Sequence, residues 1–203
     1  NWPNIIDGRD IVGGGTEVLR ASPAHDVRVA TYHNATEAEV DAAVTAAHKA
    51  FSSGDWPRTS GAERAALLRR VAARIEAERD ELALIETLES GKPISQAKDE
   101  VASAAGIWYY AASLAQHAYG DAHNHLGPNY LAVTVKEPVG VVGVITPWNF
   151  PLLIVSQKLP FALAVGCTAV IKPSDLTPGT TTRLVQILHD EWVPNGVVNL
   201  VQG

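Results

Sequence analysis

From Val139 to Asp175 the chain alternates apolar runs with short polar turns, and this pattern constrains the fold most. Val139–Ile145 is apolar and short, and is followed by Thr146-Pro147-Trp148-Asn149-Phe150-Pro151. Residues 152–164 carry a helical apolar pattern, 168–172 form a second short run, and Lys172-Pro173-Ser174-Asp175 ends it. With 178–191 and 197–201 added, the order is strand, helix, strand, helix, strand. Continuous apolar strands separated by helices predict a parallel sheet covered on both faces. Right-handed crossovers bring the strand ends to one edge, which is where such sheets bind ligands. The expected fold class is therefore α/β, a Rossmann-like open parallel sheet with helices on both faces.

The turn after the first of these strands excludes two common nucleotide sites. It lacks the G-x-G-x-x-G that lets a backbone approach a pyrophosphate, and no phosphate-gripping Gly-Lys-Ser/Thr is present. It carries prolines, a tryptophan and an asparagine instead. Asn149 would place amide donors at a strand end, where they suit an oxyanion. Asp175 would end the next strand, where a carboxylate commonly bonds ribose hydroxyls, with Lys172 and Ser174 beside it. Ile145, Thr146, Pro147 and Trp148 are expected to line the same cleft through backbone and apolar contacts.

Thr-Pro-Trp-Asn-Phe-Pro at 146–151 and Gly166-Cys167-Thr168-Ala169-Val170-Ile171-Lys172-Pro173-Ser174-Asp175 resemble the aldehyde dehydrogenase superfamily. Glu89-Ser90-Gly91-Lys92-Pro93 and Glu137-Pro138-Val139-Gly140-Val141-Val142 agree in order and spacing. The resemblance implies oxidation of a small aldehyde to an acid with NAD as cofactor, with Asn149 binding the aldehyde oxygen. It implies that Ile145, Thr146, Pro147, Trp148, Asn149, Lys172, Ser174 and Asp175 contact the cofactor. Phe150, Ile154 and Gln157 would face the substrate channel. A carboxylate at 175 repels a 2′-phosphate, which favours NAD over NADP. The resemblance also implies that the nucleophilic cysteine and the glutamate base belong to sequence beyond Gly203. The chain then reads as the front portion of such an enzyme, inactive by itself. The alternatives are a non-catalytic NAD-binding scaffold, or a coenzyme-A-acylating or phosphorylating relative.

Cys167, the only cysteine, is expected to be structural. It opens a strand at the end opposite Asn149 and Asp175, and free cysteines are usually buried small hydrophobes. His123 and His125 near Asp121 fall short of a zinc ligand set, so no metal is expected. Glu86, Glu89 and Lys92 at a helix end read as solvated or capping residues.

The 203 residues are 46% apolar and 19% charged, with a net charge of −6 and no block of like charges. That composition belongs to a globular chain without a nucleic-acid surface. No apolar run reaches membrane-spanning length. The expected setting is cytoplasmic, without membrane or nucleic-acid partners. The chain holds no methionine and begins at Asn1, so its initiating end is expected to be missing.

Residues 1–35 are expected to be irregular, with a short strand near 27–31. Thr36–Glu39 and Ser60–Glu63 have capping-box form, predicting helices to about Phe51 and from 61 to Gly91, the latter bent near Arg79-Asp80. A third helix is expected over 95–118. Residues 119–137 alternate around turn formers and predict a protruding β-hairpin arm. The resemblance makes that arm a subunit contact in a full-length homodimer or homotetramer, with 1–118 and 138–203 forming the NAD-binding domain. Strand 197–201 is expected to leave an unpaired sheet edge and poor solubility.

Overall fold

The computed structural model describes residues 1–203. Seven α-helices and nine strands form in chain order: β1 (Asn4–Ile6), β2 (Arg9–Ile11), β3 (Glu17–Ala21), β4 (Arg28–His33), α1 (Glu37–Ser52), α2 (Gly61–Ala77), α3 (Arg79–Ser90) and α4 (Ile94–Leu114). After them come β5 (Asp121–His123), β6 (Ala132–Thr134), β7 (Val141–Ile145), α5 (Pro151–Ser156), α6 (Leu159–Ala164), β8 (Thr168–Lys172), α7 (Gly179–Asp190) and β9 (Val198–Leu200).

The main sheet runs β2-β1-β9-β8-β7. β7, β8 and β9 are parallel, with Ile145 opposite Lys172 and Ile171 opposite Leu200. The β-α-β alternation predicted from residue 139 onward is thus present, and all three strand ends meet on one rim. The sheet is mixed, however, because β1 adds antiparallel to β9 through Ile5 and Leu200. Strand 197–201 is therefore internal and buried, and the expectation of an unpaired edge there is corrected. The edges are β2 and β7, and on the parallel side Val139, just before β7, is 87% exposed and Ile145, its last residue, 75%.

Within the first 35 residues the strand expected near 27–31 forms as β4, and β1, β2 and β3 form where irregular chain was expected. Asp7 and Gly8 both take positive φ, 53° and 74°, which is the tight turn whose twist suits a two-residue hairpin. Asn4-Ile5-Ile6 and Arg9-Asp10-Ile11 pair across it. Three-residue strands carry almost no periodic signal, but the Asp-Gly pair between apolar residues was a readable cue.

Both capping boxes form: Thr36 and Ser60 each accept from the N–H three residues on, and Glu39 and Glu63 return the bond. The long helix breaks at Glu78 into α2 and α3, one residue before the expected bend. Glu78 holds that break by accepting from Arg74 at 2.6 Å and from Arg183 of α7 twice at 2.7 Å. Hydrogen bonds from Arg183 first, then Arg74, keep its carboxyl below the usual range despite burial. Gly91, at φ 78°, ends α3 in the left-handed cap that glycine adopts without strain.

Residues 152–164 form two short helices instead of one. Pro160 lacks an N–H and its ring opposes the carbonyl four residues back, so the ladder stops after Ser156. α1 lies on one face of the sheet, and α5, α6 and α7 on the other, backed by α2, α3 and α4. One apolar core of 34 buried residues joins these layers. β5 and β6 form the predicted two-stranded arm, and around it Tyr119, Leu126, Tyr130, Leu131, Val133 and Val135 are exposed. No helix is long and apolar enough to cross a membrane.

Candidate functional site

Two loops leave the carboxyl ends of β7 and β8 side by side. The Thr146 N–H donates to the Lys172 carbonyl at 3.2 Å, carrying the sheet pairing one step past the strand. The Thr177 hydroxyl donates to the Trp148 carbonyl at 3.2 Å and ties the loop tips together. Asn149 and Asp175 therefore share a rim. Ile145, Pro147, Trp148, Asn149 and Asp175 are exposed there, Lys172 and Ser174 are half-buried, and Thr146 is buried. Thr146 Oγ1 has no hydrogen-bond partner, so the Thr146 side chain belongs to the packing under the rim.

On the β8 side, Ser174 Oγ donates to Asp175 Oδ1 at 3.3 Å and accepts from the Leu176 N–H at 3.2 Å. Lys172 Nζ donates to the Pro173 carbonyl at 3.1 Å, leaving two of its three N–H donors unassigned within the chain. Tyr32 of β4 is 2% exposed and donates to the Asp175 main-chain carbonyl at 2.8 Å. Burial, then the Asp175 charge, pushes the Tyr32 hydroxyl up to about 12. The Asp175 backbone is thus clamped, and its exposed carboxylate accepts within the chain only from Ser174, through Oδ1. This donor and acceptor set fits a ribose: ammonium and hydroxyl groups to donate, a carboxylate to accept.

On the β7 side, Lys92 holds the Asn149 loop. Its Nζ donates to the Asn149 main-chain oxygen at 2.8 Å, lies 4.8 Å from the Phe150 ring centroid, and pairs with Glu86 and Glu100. Glu86 is fully buried, Glu89 4% exposed and Glu100 6% exposed. The reading of Glu86, Glu89 and Lys92 as solvated residues is therefore corrected. The signal was available in the helical register. Glu86 follows Leu82 and Ala83 by four and three residues, and Glu100 follows Ala97 by three, so both carboxylates lie on buried faces.

Burial pushes the Glu86 carboxyl up to about 8, Glu100 raises it further, and Lys92 opposes both. Burial also disfavours a charged Glu100, but hydrogen bonds from Glu86, Lys92 and Gln96 outweigh it and hold that group low. Burial thus favours the protonated form of Glu86, and hydrogen bonding the charged form of Glu100. Glu89 does cap a helix, though of α7 and not its own. Both of its oxygens accept from the Gly179 N–H, at 2.9 and 3.1 Å, and Trp2 Nε1 donates at 3.1 Å. Burial pushes the Glu89 carboxyl up to about 7.

A cleft of about 320 Å³ opens behind the loops, between Trp148, Leu176 and Thr177 on one side and Arg20, Pro23, Glu89 and Ser90 on the other. A larger hollow, about 730 Å³, lies at the start of α2 and the base of the arm and contains no rim residue. From β7 the sheet grows in one direction only, so a crevice flanked by diverging strands is only half built by these residues. Phe150 and Ile154 are half-buried and Gln157 is exposed.

Cys167 is 3% exposed, and its carbonyl accepts from Trp56 Nε1 at 2.9 Å. It precedes β8, five strand residues from the rim, or roughly 17 Å. That distance excludes it from any chemistry at Asn149. His123 and His125 stack edge-on with ring centroids 6.0 Å apart, and no group of three or more potential metal ligands is present.

A parallel-strand rim with an asparagine loop and an acid-bearing loop, clamped from behind, defines an α/β unit with a candidate ligand site at its strand ends. A family model for the aldehyde dehydrogenase family matches residues 13–203, and the chain belongs to that family. It is 40% identical over 215 residues to betaine aldehyde dehydrogenase 1 of Oryza sativa subsp. japonica, covering 99% of this chain and 43% of the relative. It is 39% identical over 195 residues to aminoaldehyde dehydrogenase 2 of Zea mays, covering 93% and 38%. The crystal structure of an NAD-dependent aldehyde dehydrogenase from Sinorhizobium meliloti superposes with a TM-score of 0.97 at 46% identity, over 100% of this chain and 41% of that one. Betaine aldehyde dehydrogenase from Staphylococcus aureus in complex with NAD+ gives 0.96 at 34% identity, over 100% and 41%. The chain spans about two fifths of the length of these proteins.

Proposed function

We propose that this chain supplies the cofactor-binding front portion of an NAD-dependent aldehyde dehydrogenase. The observation that carries the reading is the shared rim, with the Asn149 loop and the Asp175 loop bonded to each other through Thr177 and Trp148. Bound NAD would accept the hydride removed from the aldehyde carbon. The residues of this chain orient the reactants. Asp175 accepts from ribose hydroxyls, while Lys172 and Ser174 donate to them. Ile145, Pro147 and Trp148, with the backbone of Thr146, form the wall of the cofactor cleft. The Asn149 amide donates to the aldehyde oxygen as negative charge builds on it, which is where a fixed donor contributes most. Residues 1–118 and 138–203 act as the cofactor domain, and the exposed apolar arm at 119–137 as a subunit contact of a homodimer or homotetramer. A small aldehyde is the substrate class.

Calorimetric titration of the 203-residue chain with NAD tests the reading. Asp175→Ala is expected to weaken NAD binding about tenfold, from lost charge-assisted hydrogen bonds. Equal affinity in the variant would remove Asp175 from the site. NADH production from aldehyde by this chain alone is expected to be absent. Turnover abolished by Cys167→Ala would overturn both that expectation and the structural assignment of Cys167.

A further inference from the structure

Lys92 occupies the three-residue junction Gly91-Lys92-Pro93 between α3 and α4, and an ammonium there has three N–H donors. All three are committed: to Glu86 Oε1 at 2.6 Å, to Glu100 Oε2, and to the main-chain oxygen of Asn149 at 2.8 Å. Two carboxylates would be served equally well with the third N–H turned to water. Instead it reaches 57 residues along the chain to one particular carbonyl.

That carbonyl belongs to a segment with few other restraints. Pro147 and Pro151 have no N–H to donate. The hydrogen bonds that tie residues 146–150 to the rest of the protein are Thr146 N–H to Lys172, Ile154 N–H to Phe150, Thr177 Oγ1 to Trp148, and Lys92 Nζ to Asn149. Only the last acts on residue 149. Holding its carbonyl fixes the peptide plane between Asn149 and Phe150, and so the backbone from which the Asn149 side chain projects. The same ammonium lies over the Phe150 ring, gripping the next residue. Lys92 itself cannot drift, because its side chain is 9% exposed and its two carboxylates stand on separate helices, with Glu86 on α3 and Glu100 on α4.

We propose that Lys92 is a positioning residue for the reaction: it carries the placement of α3 and α4 to the Asn149 loop and sets the direction of the Asn149 amide. The inference rests on Asn149 being the oxyanion donor. Lys92 touches neither substrate nor cofactor and acts through Asn149 alone. A purely structural ion cluster would lack this dependence.

The test is a double-mutant comparison in the protein produced from its full reading frame. The triple variant E86Q/K92M/E100Q removes the Asn149 bond without leaving buried unpaired charge. Its kcat is expected to fall tenfold to about a hundredfold, as for a reacting group displaced by about 1 Å, while the KM for NAD stays within about twofold. Asn149→Ala alone is expected to lose about 10²–10³ in kcat. Adding the triple change to Asn149→Ala should cost nothing more, because the group being aimed is gone. A triple variant with normal kcat beside a slow Asn149→Ala overturns this inference and leaves the Asn149 reading intact. So does a loss that multiplies with Asn149→Ala, or one that follows the folded fraction. A normal Asn149→Ala overturns the Asn149 reading and this inference with it. Hydrogen exchange of the 203-residue chain supplies a readout independent of turnover. The Trp148, Asn149 and Phe150 amides should exchange several-fold faster in the triple variant while α3 and α4 stay protected, and unchanged exchange there overturns the proposal.

Discussion

Trp108→Ala is expected to destabilise the chain by about 3–5 kcal/mol, a large part of the 5–15 kcal/mol that holds a domain of this kind folded. Trp108 is the largest fully buried side chain and projects from α4 into the core. Its indole N–H donates to Ser156 Oγ at 3.0 Å, the last residue of α5. Alanine would leave a void that α4 and α5 cannot close, since both are held by other contacts. It would also leave the Ser156 hydroxyl buried without this partner, itself a cost of about 1–3 kcal/mol. Trp108→Phe separates the two terms, because phenylalanine fills most of the volume and forms no hydrogen bond. It is expected to cost about 1–2 kcal/mol. Urea unfolding of the three proteins measures both differences. A cost below about 1 kcal/mol for Trp108→Ala would mean that the core repacks and that the α4–α5 contact does not set the fold. The effect reaches the rim as well, because α5 begins at Pro151, directly after the Asn149 loop.

Which features could be read in advance follows from how local their causes are. The strands and turns from 139 to 175 were legible because each short strand is apolar almost throughout, β8 from burial and β7 even where its edge is exposed. The polar rim residues then stood out against it. Capping boxes at Thr36 and Ser60 were legible because hydroxyl and carboxylate act within four residues. The antiparallel addition of β1 to β9 was not legible. It joins Ile5 to Leu200, and no local pattern encodes a partner 195 residues away. The same distance hid Glu89 as the cap of α7 and Lys92 as the clamp on Asn149. In sequence these residues sit beside a helix terminus, where charge is usually solvated. Only the register of Glu86 and Glu100 on apolar faces hinted that the cluster was inside.

Glu86→Gln is expected to leave stability nearly unchanged at pH 5 and to raise it by a few kcal/mol at pH 8–9. Burial first, then Glu100, raises the Glu86 carboxyl to about 8 in the folded chain, against an ordinary 4.5 when unfolded. Between those values the folded state keeps a proton that the unfolded state has lost. The contribution of Glu86 is therefore complete below pH 4.5 and disappears as pH rises through about 8, at ~1.4 kcal/mol per pH unit. Glu89, raised to about 7 by burial, adds a loss of the same sign between 4.5 and 7. His189, lowered by burial, acts oppositely: its contribution is present above 6.5 and lost on acidification. Glu78 and Glu100, both held low, also contribute above 4.5 and lose that contribution only in more acidic solution. Comparing variant with parent at each pH cancels Glu78, Glu89 and His189, while Glu100, held low, loses its contribution only in more acidic solution. Glutamine reproduces the protonated acid, with a carbonyl to accept from Lys92 and an amide N–H to donate to Glu100, so no bond of the low-pH cluster is lost. Urea unfolding at pH 5, 6, 7, 8 and 9 should give a difference that widens through the window and levels off above it. A difference independent of pH would mean that Glu86 is ionised in the folded protein. The ammonium would then be shared between two charged carboxylates, and its bond to the Asn149 carbonyl would face stronger competition than the protonated cluster imposes.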